Sequence, residues 1–211
     1  MFRFWKHRIK RQLIGTAIAG LLAMSAGAAS AAAQDGAVAF LDGLNKDVVA
    51  EVAAPDLGDS QRQRNFRTIL QRVFSLDEIC DLVLGRYGRA ATASEREEFR
   101  RLFENMLVLT WTRRFRDYTG HGIRFGNAMA MEGGGLVVPS QLVETTNRQP
   151  VTVEWRLRGE NGRYRLLDIK AEGVSMVLTY RSEYQTVLRN SGMAGLNGLL
   201  RKKIGEMGAP G

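Results

Sequence analysis

The stretch DIKAEGVSMVLTYR, residues 168–181, changes hydrophobic period halfway along and carries a serine at the change. Up to Ala171 it reads as a strand; after Gly173 the apolar residues Val174, Val177 and Leu178, followed by Tyr184, recur at helical spacing. Upstream lie four strand-like runs, GIRFGNAMAME, GLVVPSQLVETT, PVTVEWRLRG and GRYRLLDIKA, separated by Gly, Pro and Asn. In the third, Val151, Val153, Trp155 and Leu157 alternate with Thr152, Glu154, Arg156 and Arg158, the period-2 pattern of a half-buried antiparallel strand. ENG between the last two runs suits a hairpin turn.

Before the strands the period is helical. The segment Ala37–Val52 aligns Phe40, Leu41, Leu44, Val48 and Val52 and ends at AAPDLGD; further helices are predicted over 61–74 and 76–84, the latter stopped at Gly85. The longest is predicted over 93–118, opened by Thr92 and Glu95 at capping-box spacing. Its apolar residues Phe99, Leu102, Phe103, Met106, Leu109, Trp111 and Phe115 cover more than one stripe, so this helix is covered on several sides or lines something. A last amphipathic helix carries Leu196, Leu199, Leu200 and Ile204. Helices, then a run of strands, then helices give an α+β fold.

The first 33 residues divide into a basic segment (MFRFWKHRIKR), an apolar run (LIGTAIAGLLAM) and a small-residue stretch (SAGAASAAA). This is the pattern of a secretory signal peptide, with cleavage expected after Ala33 or, alternatively, after Ala31. The apolar run falls short of the ~20 residues a membrane span needs. Residues 34–211 are then one domain, soluble in an extracytoplasmic compartment. The leader holds five of the 30 Lys+Arg and none of the 22 Asp+Glu, leaving 25 against 22, or +3, for the rest. That charge is interleaved with acids, as in SEREEFRRLFE, and does not fit nucleic-acid binding. The single cysteine, Cys80, excludes an intramolecular disulfide and reads as a small buried hydrophobe.

A serine hydrolase using Ser175 is the enzymatic alternative. The strand-to-helix turn that presents such a nucleophile needs G-x-S-x-G, and Val177 stands where the second glycine belongs. Outside the leader the histidine supply is His121 alone, in a TGHG loop, and Lys46, Lys170, Lys202 and Lys203 are not at S-x-x-K spacing from Ser175. Ser175 fits better as a helix N-cap. One His and one Cys give no zinc cluster, DEICD and EREE lack a calcium loop, and GGG at 133–135 lacks the frame and Lys of a phosphate loop. No catalytic residue, metal or cofactor is therefore expected. What remains is apolar surface, and a helical layer with a sheet can enclose an apolar cavity. Phe103 and Met106 on the long helix, Val177 after the turn, and Val151, Val153 and Trp155 on the sheet's inner face are the candidate lining.

LVLGRYGRAATASEREEFRRLF, followed by DIKAEGVSMVLTYRSEYQTVLRNSGMAGLNGLL, resembles the MlaC family of periplasmic phospholipid-binding proteins, also described as toluene-tolerance auxiliary components and including the hopanoid-associated HpnM branch. The resemblance extends over about residues 37–207. It implies a helical layer packed on a twisted four-stranded antiparallel sheet around an apolar lipid pocket, with pocket positions at Trp111 and Val174. It also implies a monomeric periplasmic carrier of phospholipid, or of a hopanoid or related lipid. Such a carrier shuttles between an outer-membrane lipoprotein–porin complex and the substrate-binding ring of an inner-membrane ABC transporter. Two departures stand out: Gly88 occupies a position where an aromatic is common, which bears on pocket shape, and Ala93 one where Pro is common.

Overall fold

The computed structural model describes residues 15–116, 122–132, 134–143, 150–160 and 162–208. His121 lies outside them. Five helices come first: α1 (Gly15–Glu51), α2 (Asp59–Val73), α3 (Leu76–Leu84), the short α4 (Arg86–Ala90) and α5 (Ala93–Arg116). The helix predicted from Ala37 is the C-terminal part of α1, which begins well before it. Helix α3 ends at Gly85, whose φ of 55° is open to glycine and costly for residues with a Cβ. The box that opens α5 is reciprocal: the Thr92 N–H donates to Glu95 Oε2 at 2.9 Å, and the Glu95 N–H to Thr92 Oγ1 at 3.2 Å.

The sheet has six strands: β1 (Gly122–Phe125), β2 (Met129–Ala130), β3 (Leu136–Val143), β4 (Val151–Glu160), β5 (Arg163–Ala171) and β6 (Val174–Ser175). They are antiparallel in the order β1-β3-β4-β5-β6, with β2 also pairing β3. Four predicted runs become six strands for two local reasons. The first run breaks because Phe125 pairs with Ser140 and Met129 with Val137, so that residues 126–128 face only 138–139. One extra residue kinks that strand. The second reason is β6, a two-residue strand after β5 that the sequence reading passed over.

One layer of helices covers one face of this sheet. Leu41, Ile69, Leu70, Val83, Phe99, Val108, Leu157, Leu166, Leu196 and Leu200 are all 2% exposed or less and form the core between the layers. The α2–α3 junction is tied to the sheet through Ser75, whose N–H donates to the Leu166 carbonyl at 2.9 Å. Helix α5 packs on α2, α3 and α6, as its wide apolar surface requires. The final element, α6 (Met176–Gly208), is two helices joined at Gly192, where φ is 60° and ψ −162°. No described helix is long and apolar enough to cross a membrane.

Candidate functional site

The turn at 171–175 does not hand the sheet directly to a helix. Glu172 and Gly173 have φ of 48° and 78°, the two positive values that a tight two-residue hairpin needs, and the chain reverses through them into β6. Glu172 is held there by Thr152: its N–H donates to the Thr152 carbonyl at 2.9 Å, and its carboxylate accepts the Thr152 N–H. In β6 Val174 is exposed and Ser175 buried.

Ser175 is 6% exposed and acts as a cap. Its Oγ accepts the Leu178 N–H at 3.0 Å and donates to Asp168 Oδ2 at 2.6 Å. Asp168, 7% exposed, also accepts the N–H groups of Ile169 at 2.9 Å and Val177 at 3.1 Å through Oδ1. One carboxylate and one hydroxyl together satisfy backbone donors that the start of α6 would leave open. The serine hydroxyl donates to a carboxylate and its oxygen accepts a backbone donor, the geometry of a helix cap.

Above this turn is a cavity of about 360 Å3. Helix α1 contributes Leu41, Leu44 and Val48, helix α2 Phe66, Ile69 and Leu70, and helix α5 Phe103, Leu107, Trp111 and Phe115. The sheet closes the other side with Ile123, Phe125, Leu142, Val151, Val153, Trp155, Ile169 and Ala171, and α6 adds Met176, Val177 and Tyr180. Asn45 and Asp168 are the exceptions to an otherwise apolar or aromatic wall. The volume lies within the range of about 300–1,000 Å3 of small-molecule sites, and the lining has their composition.

Of the residues singled out from sequence, Phe103, Trp111, Val151, Val153, Trp155 and Val177 line this cavity. Val174 and Met106 do not. Val174, a pocket position by the family resemblance, is 59% exposed, because it sits in the two-residue β6 that follows the hairpin at the edge of the sheet. Met106 is buried on another side of α5, where the Thr110 hydroxyl lies 3.5 Å from its sulfur and 3.9 Å from that of Met207 in α6. Gly88 is also elsewhere: it is buried against Leu84, 3.0 Å from where a Cβ would sit, and does not shape the cavity. The reading from sequence missed the α1 wall, although the stripe Leu41, Leu44, Val48 was plain in the period. It also missed Ile123, Phe125 and Leu142, which lie in the first two strand runs, where no alternation was assigned.

Electrostatics at the site are quiet. Burial raises the Tyr180 phenol, which lies close to the Trp111 indole, and the Arg114 guanidinium sits 5.0 Å from the Trp111 ring centroid. Trp155 donates its indole N–H to Ser140 Oγ at 2.8 Å, so a large lining side chain is fixed in orientation. Among the described residues no three His, Cys, Asp or Glu side chains gather as metal ligands.

The fold is shared with the phospholipid-binding protein from Ralstonia solanacearum, whose structure was determined in complex with a phospholipid. The two superpose with a TM-score of 0.68 at 17% sequence identity, over 84% of this chain and 99% of that one. The profile of the MlaC protein family matches residues 43–202, which span the elements that build the cavity from Leu44 in α1 to α6. The chain belongs to the MlaC family.

Proposed function

We propose that the protein is a periplasmic lipid carrier, exported by the leader over residues 1–33, that holds phospholipid acyl chains in the cavity between its helical layer and its sheet. The observation that carries this reading is the cavity itself: its aliphatic and aromatic lining surrounds about 360 Å3, and its one carboxylate, Asp168, is taken up by Ser175 and two backbone N–H groups. Membership of the MlaC family and a fold shared with a phospholipid-binding protein support it.

Transfer free energy gives the reading its logic. Two acyl chains hold about 30 methylenes, and at ~0.8 kcal/mol each, roughly 24 kcal/mol is lost when they enter water. A carrier offsets most of that loss without exceeding it, since a tighter interior stalls unloading. In the shuttle we propose, a lipoprotein–porin complex stands at the outer membrane and the substrate-binding ring of an ABC transporter at the inner membrane.

Lipid extraction and mass spectrometry of the protein purified from its own cells test the reading. Co-purified diacyl phospholipid is the expected result, and a hopanoid would keep the carrier and change the cargo. Lipid-free protein that turns over esters, and loses that activity in Ser175→Ala, would replace the carrier with a hydrolase.

A further inference from the structure

A second concavity, of about 400 Å3, lies between the α3–α4 junction and α6 and shares no residue with the apolar cavity. Arg86, Arg89 and Arg181 line it, with Asp81 as the acid among them. Several arginines elsewhere are matched by carboxylates, Arg67 with Glu104, Arg72 with Asp47, Arg158 with Glu78 and Arg201 with Glu98, while others, such as Arg62 and Arg165, are spent on two or more backbone carbonyls. Among the described residues, none of the three cleft guanidinium groups pairs with a carboxylate.

Two of them are positioned by neutral groups instead. Arg181 donates to the Leu82 carbonyl at 3.2 Å and lies over Gly85, where a Cβ would stand 3.1 Å from its Nη2. The glycine that ends α3 thus also admits the guanidinium. Arg86 donates to the Tyr87 hydroxyl at 2.9 Å, and its guanidinium lies 4.9 Å from that ring's centroid. These contacts fix direction without neutralising charge, so three guanidinium groups face the single carboxylate of Asp81 in the cleft lining. An anion entering the cleft gains from three like charges at once, and guanidinium forks suit phosphate oxygens.

Apolar side chains in the cleft wall and along the start of α6 stand in solvent. Leu82, in its wall, is 46% exposed; Leu178, one turn before Arg181 on α6, is 61% exposed; Val174, in the strand before that helix, is 59% exposed. Guanidinium groups flanked by exposed aliphatic chains suit a lipid headgroup layer, where the cations meet phosphates and the aliphatics enter the boundary below them. A soluble acidic segment satisfies the arginines but leaves the aliphatic chains in water. We propose that the cleft between the α3–α4 junction and α6 docks this protein on the phosphate headgroups of an anionic lipid bilayer. This goes beyond the carrier reading and does not depend on what fills the apolar cavity.

Co-sedimentation of the exported protein with vesicles tests it, using phosphatidylcholine alone and phosphatidylcholine with phosphatidylglycerol. The double variant Arg86→Gln/Arg89→Gln keeps the Arg181 contact with Leu82 and therefore the fold. Each arginine removed is expected to weaken binding to the anionic vesicles about fivefold, so the pair about 25-fold. Leu178→Ser weakens it further, raised salt abolishes it, and the lipid carried in the cavity is unchanged in every variant. Equal binding of wild type and double variant to anionic vesicles, or no wild-type binding, overturns the proposal. So does binding of soluble polyglutamate as tightly as anionic vesicles, which assigns the cleft to an acidic protein partner.

Discussion

The two ends of α5 are alike in sequence and opposite in use. At the first, Phe99 and Phe103 stack at 5.4 Å, and Tyr184 meets both edge-on at 6.3 and 6.2 Å, so every ring has a neighbour. At the second, Trp111 and Phe115 lie 6.2 Å apart along one wall of the cavity, half-buried and facing open space. Phe103 belongs to both, touching Tyr180 at 5.2 Å and bordering the cavity. Phe115 also meets Phe66 at 5.5 Å and Arg114 lies over Trp111, so what separates the two ends is the cavity that the second one borders. Composition alone does not separate the two.

The contrast is broken most forcefully from the filled end. Phe99→Ala empties a fully buried site and is expected to lower stability by about 3–5 kcal/mol, measured by denaturant unfolding. Trp111→Ala removes a larger side chain from the open end, where fewer contacts are lost, and should cost about 1 kcal/mol while depleting bound lipid. Equal stability losses at the two positions would mean that the open end is packed as tightly as the filled one.

Between these extremes lies the seam that holds the α6 wall. Asp168→Ala strips acceptors from Ser175, Ile169 and Val177 and is expected to cost about 2 kcal/mol. Ser175→Ala removes a cap and should cost about 1 kcal/mol with lipid still bound. Loss of bound lipid from Ser175→Ala at unchanged stability would give the hydroxyl a role in the site.

The filled end also carries a pH dependence. Burial pushes the Cys80 thiol up to about 12, so the folded chain keeps a proton that the unfolded chain releases from about pH 8.5. Its contribution to stability is present below that pH and is lost as pH rises toward 12. Unfolding of wild type and Cys80→Ala at pH 8 and pH 10 should show the larger fall in wild type. A thiol reagent should modify Cys80 only as the protein unfolds.

Much of this was legible in the sequence where one residue type forces one geometry. Gly85 stopped α3, Thr92 and Glu95 opened α5, and period-2 alternation put Val151, Val153 and Trp155 on the inner face of β4. The turn after Ala171 was not. Glu172 adopts a positive φ that its residue type does not announce, and a two-residue strand carries no period. The resemblance alone pointed to Val174, and at the rim of the sheet, in a two-residue strand, it stands in solvent. Met106 fails for a related reason. A helix that is apolar on several sides gives no rule for which side meets open space, and the distance across to α1 and the sheet is a property of the packed layers.

The central claim is that the open end of α5 is open to receive lipid. Native mass spectrometry of wild type and Trp111→Glu, with thermal unfolding to verify that the variant is folded, tests it most directly. A charge in an apolar wall opposes acyl chains far more than it opposes folding at a half-buried position. The account predicts a lipid-sized mass adduct on wild type that Trp111→Glu has lost while remaining folded. The same adduct on both proteins, or on neither, would contradict it.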